Sequence, residues 1–249
     1  MKIQEIIDFR KPFAYSLKKM INIYKDTFQR SAPEFYGPIV EGLLVARYKP
    51  WDKPAEKVYK TALSKDRLHI IEQILRLQFR RSQSSAFMEF GIYEGGVTKM
   101  MLDLNKEYER KNRVYAVDSF EGVRGALKDS DNHENGDYAC HNIESAKEYI
   151  KGAEVFQGII PDILTKIHLY SRDVVFAHID LDVYLPTLRT IEWVDWHSST
   201  YNAMMIVDDY GLETCPGVKQ AVDEFMAGPS GVRWALIYLP TGQALLIKT

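Results

Sequence analysis

Two pairs of carboxylates occur in matching settings. The run Ala177-His178-Ile179-Asp180-Leu181-Asp182 closes one apolar stretch, and Met204-Met205-Ile206-Val207-Asp208-Asp209 closes the next. If both stretches are strands with a crossover helix between them, their ends are spatial neighbours. Three or four carboxylates then converge. Left alone, such like charges raise one another's pKa and oppose folding; a divalent cation offsets them. Oxygen-only ligands favour Mg²⁺, Ca²⁺ or Mn²⁺ over zinc. Asp180, Asp182, Asp208 and Asp209 are therefore candidate metal ligands. Each has a blander alternative: Asp182 can cap the following helix, and Asp209 can belong to the turn at Tyr210-Gly211. His178, Trp193, Trp196 and His197 read as packing or surface residues.

A second constellation lies upstream. Glu89-Phe90-Gly91-Ile92-Tyr93-Glu94-Gly95-Gly96 follows an apolar strand and opens a helix. Glycines there allow a tight turn and close approach of a ligand, at the place where open α/β sheets bind ligands. The spacing is GxxxGG, which is neither the GxGxxG of a dinucleotide site nor a P-loop. Asp118 ends the next strand, where a carboxylate can accept from both hydroxyls of a ribose. Glu89 is placed for a ligand ammonium. A ligand with a ribose, an ammonium and no polyphosphate describes S-adenosylmethionine better than a dinucleotide.

The elements that must carry these residues alternate. Strands are predicted at 86–90, 114–117, 154–157, 174–179, 203–207, 232–237 and 243–247. Helices are predicted from Val97 to about Glu109, near 142–150, after Pro161, near 186–196 and at 218–226. The central strands are apolar on both faces, the mark of a parallel sheet covered on both sides. The last two strands have only Pro240-Thr241-Gly242 between the end of one hydrophobic run and the next, and a short connection permits antiparallel pairing alone. Residues 119–141 carry few apolar side chains and read as a long loop, a length that is often functional. Residues 1–85 read as a helical extension or lid, with helices over Tyr15–Phe28 and over Leu63–Leu77, the latter capped by Ser64. Residues 86–249 then form the domain that carries the candidate S-adenosylmethionine site.

The 249 residues suffice for one such domain plus an appendage, and a net charge of -2 argues against a dedicated nucleic-acid binder. Cys140 and Cys215 lie far apart and outside any CxxC spacing, so neither a disulfide framework nor a structural zinc site is expected. No apolar window is long enough for a membrane span, and charges interrupt the first residues where a signal peptide would be apolar. The expected location is cytoplasmic. The N-terminal helices are the expected site of any homo-oligomer contact.

From Phe87 to Lys248 the sequence resembles the macrocin O-methyltransferase family, through MEFGIYEGG, VYAVDSFEGV, VFQGIIPDIL, AHIDLDVYLPT, MMIVDDYG and GVKQAVDEF in that order. The resemblance implies a Rossmann-like class I methyltransferase fold, with a mostly parallel seven-stranded sheet and an antiparallel C-terminal strand. It implies that Glu89, Gly91 and Gly95, with Tyr93 on the same turn, line the methionine part of S-adenosylmethionine. Asp118 and Ser119 would hold its ribose, Gln157 and Gly158 would border its adenine, and Asp180 would lie against it. Asp180 or Asp182, with Asp208 and Asp209, would bind Mg²⁺. The similar catechol-type enzymes carry a basic lysine soon after the first metal aspartate; Asp180-Leu181-Asp182-Val183 has none. Asp180 and Asp182 are thus the catalytic candidates, with Asp182 or a water on the cation as base.

The expected reaction is methyl transfer to a hydroxyl of a small molecule, a sugar or another natural-product diol. Such a transfer needs positioned reactants and a cation that holds the acceptor oxygens. Two other readings fit the same residues: a metal-dependent hydrolase or phosphotransferase on the same sheet, and a non-catalytic scaffold with a cofactor pocket.

Overall fold

The computed structural model of the protein describes residues 59–169, 173–198 and 201–249. The helix expected over Tyr15–Phe28 and the oligomer contact expected of it lie outside those residues. The described elements run α1 (Lys65–Arg81), β1 (Ala86–Phe90), α2 (Gly96–Glu107), β2 (Arg113–Asp118), α3 (Ile143–Tyr149), β3 (Glu154–Gln157), β4 (Val174–Ile179), α4 (Tyr184–His197), β5 (Met204–Val207), α5 (Pro216–Ala227), β6 (Trp234–Tyr238) and β7 (Ala244–Lys248). The strands form one seven-stranded sheet in the order β3-β2-β1-β4-β5-β7-β6. β1 to β5 are parallel, and β7 runs antiparallel to both β5 and β6.

Both faces of the sheet are covered, which is why the central strands are apolar without alternation. On one face Phe87, Val114, Phe176 and Ile206 pack under α1 and α2, through Ile71, Leu75, Phe79, Val97, Met101 and Leu104. On the other, Met88, Phe90, Val117 and Ile179 pack under α4 and α5. α1 is therefore seated directly on the sheet: the Phe79 and Phe87 rings stack with centroids 4.2 Å apart. Ser64 caps α1 by accepting from the Arg67 amide at 3.4 Å.

Strand bounds lie within two residues of those predicted. Two elements differ in kind. After Pro161 the chain makes a 3-10 helix, Asp162–Lys166, in place of an α-helix. Val232 and Arg233 belong to another 3-10 turn, Gly231–Arg233, so β6 begins at Trp234. Cys140 and Cys215 are both free. Among the described residues no helix is long and apolar enough to cross a membrane.

Candidate active site

The strand order reverses between β1 and β4. At such a switch point the connections leave in opposite directions and open a crevice at the carboxyl ends of the strands. A cavity of about 310 Å³ lies there, bordered by Gly91, Asp118, Gly158 and Asp180 from four strand ends. Hydrogen bonds carry the sheet ladder one step past the strands: Gly91 N to Val117 O at 3.0 Å, Asp180 N to Phe90 O at 2.9 Å, Asp208 N to Ile179 O at 2.9 Å and Gly158 N to Asp118 O at 2.9 Å. These bonds fix where each side chain starts.

Gly91 has φ +82°, and a Cβ there would stand 1.7 Å from the Asp180 carbonyl oxygen. Only glycine admits that approach of β1 to β4. Gly95, at φ +90°, is the N-cap residue of α2 and has the Ile150 side chain against it, away from the cavity.

Beyond β4 and β5 the chain turns sharply at two aspartates. Asp182 has φ +62° and Asp209 φ +58°. Left-handed backbone is costly for most residues and least so for Asp and Asn. Around Asp182 the turn is closed by Val183 N donating to Leu181 O at 2.8 Å, a γ-turn of the strained kind. Val183, with no capping side chain, precedes α4, so Asp182 is not the helix cap. The two turns bring oxygens of Asp180, Asp182 and Asp209 within 4.8 Å of one another, and all three residues border the cavity. Burial, then the charges of Asp208, Asp182 and Asp209, push the Asp180 carboxyl well above the usual range. Burial and Asp209 push Asp182 up to about 7. Burial and mutual repulsion outweigh the partial relief from His178 and His133, and the all-oxygen donor set fits a hard cation.

Asp208 faces another way. Its carboxylate accepts from Arg67 Nη1 at 2.6 Å and from Gln243 Nε2 at 3.0 Å, and meets His178 Nε2 at 3.1 Å. Burial raises its pKa, but the His178 hydrogen bond and charge and the Arg67 charge prevail and hold it below the usual range. Asp208 Oδ1 nevertheless converges with that of Asp209, since both lie 2.6 Å from the same Arg67 Nη1, so the two carboxylates already share one cationic atom. On the buried side Glu89, His178 and Asp208 form a line across β1, β4 and β5: His178 Nδ1 is 3.5 Å from Glu89 Oε1. Although burial lowers its pKa, the two carboxylates raise His178 to about 10, so it is an imidazolium.

The 119–141 loop roofs the cavity. Val123 and Asp137 pair through Val123 N to Asp137 O at 2.8 Å, and Gly136 N returns to Val123 O at 2.9 Å. Asp131 Oδ1 accepts from Tyr184 N at 2.8 Å, supplying the cap that α4 lacks locally. Asn132 Nδ2 reaches Glu213 O at 3.2 Å. His133 and Tyr138 thereby face the cavity from above.

Several expected residues fall elsewhere. Tyr93, Ser119, Gly158, Asp180, Asp182 and Asp209 border the cavity with Gly91 and Asp118; Glu89, Gly95, Gln157 and Asp208 do not. Glu89 is 3% exposed and accepts from Thr98 N at 2.6 Å and from the Thr98 hydroxyl. The free amides at the start of α2 attract a carboxylate more strongly than a distant ligand does. Gln157 points to solvent, where Lys147 Nζ donates to it at 3.0 Å. Asp118 already accepts from Ile92 N at 2.6 Å, Tyr93 N at 3.1 Å and Phe120 N at 2.6 Å. A carboxylate has about four acceptor positions, so roughly one remains for a ribose hydroxyl. Two residues escaped sequence reasoning. Arg67 is the cationic partner of two of the four aspartates, and His178 is the buried link between Glu89 and Asp208. The signal for His178 was a polar residue inside an otherwise apolar strand, two positions before Asp180.

The family model for macrocin-O-methyltransferases (TylF) matches residues 45–230. Among solved structures, the O-methyltransferase NovP is similar with a TM-score of 0.67 and 22% identity, over 80% of this chain and 85% of that one. The calicheamicin methyltransferase CalS11 gives 0.61 and 15%, over 99% and 96%. The S-adenosylhomocysteine-bound methyltransferase PaMTH1 of Podospora anserina gives 0.50 and 14%, over 98% and 100%. At these identities the likeness concerns the fold. Comparison with curated proteins returned no significant match.

Proposed function

The chain belongs to the macrocin-O-methyltransferase family, and from that premise we propose that this S-adenosylmethionine-dependent O-methyltransferase acts on a sugar or other natural-product diol with a hard divalent cation such as Mg²⁺. One observation carries the cation. Asp180, Asp182 and Asp209 converge at the cavity with oxygens within 4.8 Å, two of them shifted upward by burial and by their neighbours' charge. Family membership removes the ground for a hydrolase, a phosphotransferase or a non-catalytic scaffold.

When bound, S-adenosylmethionine supplies an electrophilic methyl on a good leaving group, and a cation supplies positive charge that holds an acceptor diol and eases loss of its proton. The remaining work belongs to the chain. Gly91 lets β1 and β4 meet so that cofactor and acceptor share one cavity. Asp118 stiffens the turn through the Ile92 and Tyr93 amides and offers its remaining acceptor position to a ribose hydroxyl. Asp180 and Asp209 would hold the cation. Asp182, the third carboxylate of the cluster, is placed to take the acceptor's proton. The 119–141 loop excludes water from above.

Calorimetry with S-adenosylhomocysteine, followed by a methyl-transfer assay on vicinal diols with Mg²⁺ or with chelator, tests the proposal. Binding of S-adenosylhomocysteine and methylation of a diol that chelator abolishes are expected. Turnover that is undiminished by chelator would remove the cation from the account.

A further inference from the structure

We propose that His133, Asp182 and Cys215 form a second metal site beside the carboxylate cluster, suited to a borderline ion of the zinc class and sharing Asp182 with that cluster. The three residues arrive from different places: His133 from the roof loop, Asp182 from the γ-turn after β4, and Cys215 from the start of α5. One donor atom of each lies within 4.8 Å of the others.

The distances suit an ion. His133 Nε2 and Cys215 Sγ are 3.4 Å apart. A tetrahedral ion about 2.0–2.1 Å from nitrogen and about 2.3 Å from sulfur separates those atoms by about 3.5 Å. The pair therefore stands as an ion would set it. The ring is also oriented from behind. His133 Nδ1 is 3.2 Å from Asp137 Oδ2, and that oxygen accepts from Glu134 N at 3.1 Å. A carboxylate on Nδ1 fixes the tautomer and turns the Nε2 lone pair toward the sulfur, the arrangement that stands behind histidine ligands in metal sites. Cys215 is buried and His133 half-buried, so the ion would sit against the cavity wall with its fourth position open to the cavity.

Donor chemistry separates this site from its neighbour. Asp180, Asp182 and Asp209 offer only oxygen and select hard cations, whereas a nitrogen, a thiolate and one carboxylate select Zn²⁺ or Co²⁺. On binding, the Cys215 thiol gives its proton to solvent, His133 enters neutral and Asp182 enters ionised, so two negative ligands balance the ion. Because Asp182 belongs to both sets, an ion here withdraws it from the carboxylate cluster. It also ties the roof loop to the start of α5. Zinc-class ions are therefore expected to inhibit turnover by occupying the proposed base.

Cobalt titration of the metal-free full chain tests the site optically. One equivalent of Co²⁺ is expected to give a near-ultraviolet thiolate-to-metal band, displaced by Zn²⁺ and not by Mg²⁺. The band should persist in Cys140→Ser and Asp180→Asn and vanish in Cys215→Ser. In Asp137→Asn, which keeps all three ligands, affinity for Co²⁺ should fall about tenfold or more. Circular dichroism verifies that each variant is folded, and Asp137→Asn carries the test if Cys215→Ser is not. No band in the wild type, or a band that survives in Cys215→Ser, overturns the site. The readout needs no methyl transfer, so its failure leaves the proposed acceptor chemistry standing, and an inactive enzyme leaves this site standing.

Discussion

The Arg67 guanidinium, carried on α1, donates to Asp209 Oδ1 at 2.6 Å across 142 positions of sequence. The same nitrogen donates to Asp208. A fixed cation thus stands where four clustered aspartates alone would call for a metal ion. The charges can be followed residue by residue. Glu89 and Asp208 share the His178 imidazolium, Asp208 and Asp209 share Arg67, and Asp180 and Asp182 have neither. The need for an added cation is therefore concentrated on the pair from β4, with Asp209 completing the set.

Removing Arg67 should make the protein depend on that cation. Arg67→Ala leaves Asp209 without its ion-pair partner and Asp208 with His178, Gln243 and the Asp209 amide. Breaking a buried pair costs about 3–5 kcal/mol, and partial relief from His178 places the expected loss near the lower figure. Thermal unfolding in chelator should show a lower Tm, and Mg²⁺ should raise the Tm of the variant more than that of the wild type. Equal Mg²⁺ responses in the two proteins would show that Arg67 and the cation do not share Asp209.

The sheet was legible in the sequence because its central strands, β1, β2, β4 and β5, are apolar on both faces and give way to Gly or Asp at their ends. Asp118, Asp180 and Asp208 all mark strand ends, and three of the four clustered aspartates meet as expected. What could not be read was direction. Asp208 looks like a ligand in sequence, but whether it or Asp209 faces the cavity depends on the left-handed turn at Asp209. Glu89 precedes the glycine turn and looks aimed at a ligand, yet the start of α2 folds back over it. Arg67 was invisible for another reason: its partners are remote in sequence, and one arginine on an amphipathic helix carries no mark of its target.

Gly91→Ala should abolish cofactor binding. The added Cβ would meet the Asp180 carbonyl oxygen at 1.7 Å, in a backbone conformation that disfavours a side chain. Left-handed strain of about 1–2 kcal/mol and overpacking of about 1–3 kcal/mol both apply. Calorimetry with S-adenosylhomocysteine should show no binding, with a Tm several degrees lower. Wild-type affinity in the variant would mean that the β1–β4 approach is not what shapes the cavity.

Asp182→Asn and Asp209→Asn should fail differently. If Asp182 takes the acceptor proton, its amide variant loses about 10²- to 10⁴-fold in kcat while saturating at similar Mg²⁺. Asp209→Asn should instead raise the Mg²⁺ concentration needed for half-maximal rate. Steady-state kinetics over a Mg²⁺ series separates them. Identical Mg²⁺ curves for the two variants would contradict the division of roles.

His178 predicts how stability varies with pH. The native imidazolium is held to about 10 from an ordinary value of 6.5, so between those values the folded chain binds the extra proton. Stability from this group is complete below about pH 6.5 and is lost as pH rises through 10, by at most about 1.4 kcal/mol per pH unit. Asp182, raised from 3.8 to about 7, has the same sign in a lower window. Urea unfolding of metal-free protein at pH 6.5, 8 and 9.5 should show the decline, and His178→Gln should flatten it. A variant whose stability falls in parallel with the wild type would place the proton elsewhere.

Asp131 should be the clasp of the roof loop. Its Oδ1 caps α4 through Tyr184 N, and its Oδ2 accepts from Leu127 N at 2.8 Å within the loop. One carboxylate thus joins the loop to the helix that follows the γ-turn at Asp182. Its seat exists because residue 217 is glycine: a Cβ there would stand 1.9 Å from Oδ1. Asp131→Ala removes the cap, at about 1 kcal/mol, and Gly217→Ala evicts the carboxylate without altering it. The two variants should converge on faster proteolysis within 119–141 and a higher KM for the acceptor, with S-adenosylhomocysteine affinity little changed, because Gly91 and Asp118 lie outside the loop. Limited proteolysis measures the first effect and steady-state kinetics the second. Should Asp131→Ala be cleaved no faster than the wild type, the roof is held by other contacts, and the Asn132 bond to Glu213 O becomes the next to remove.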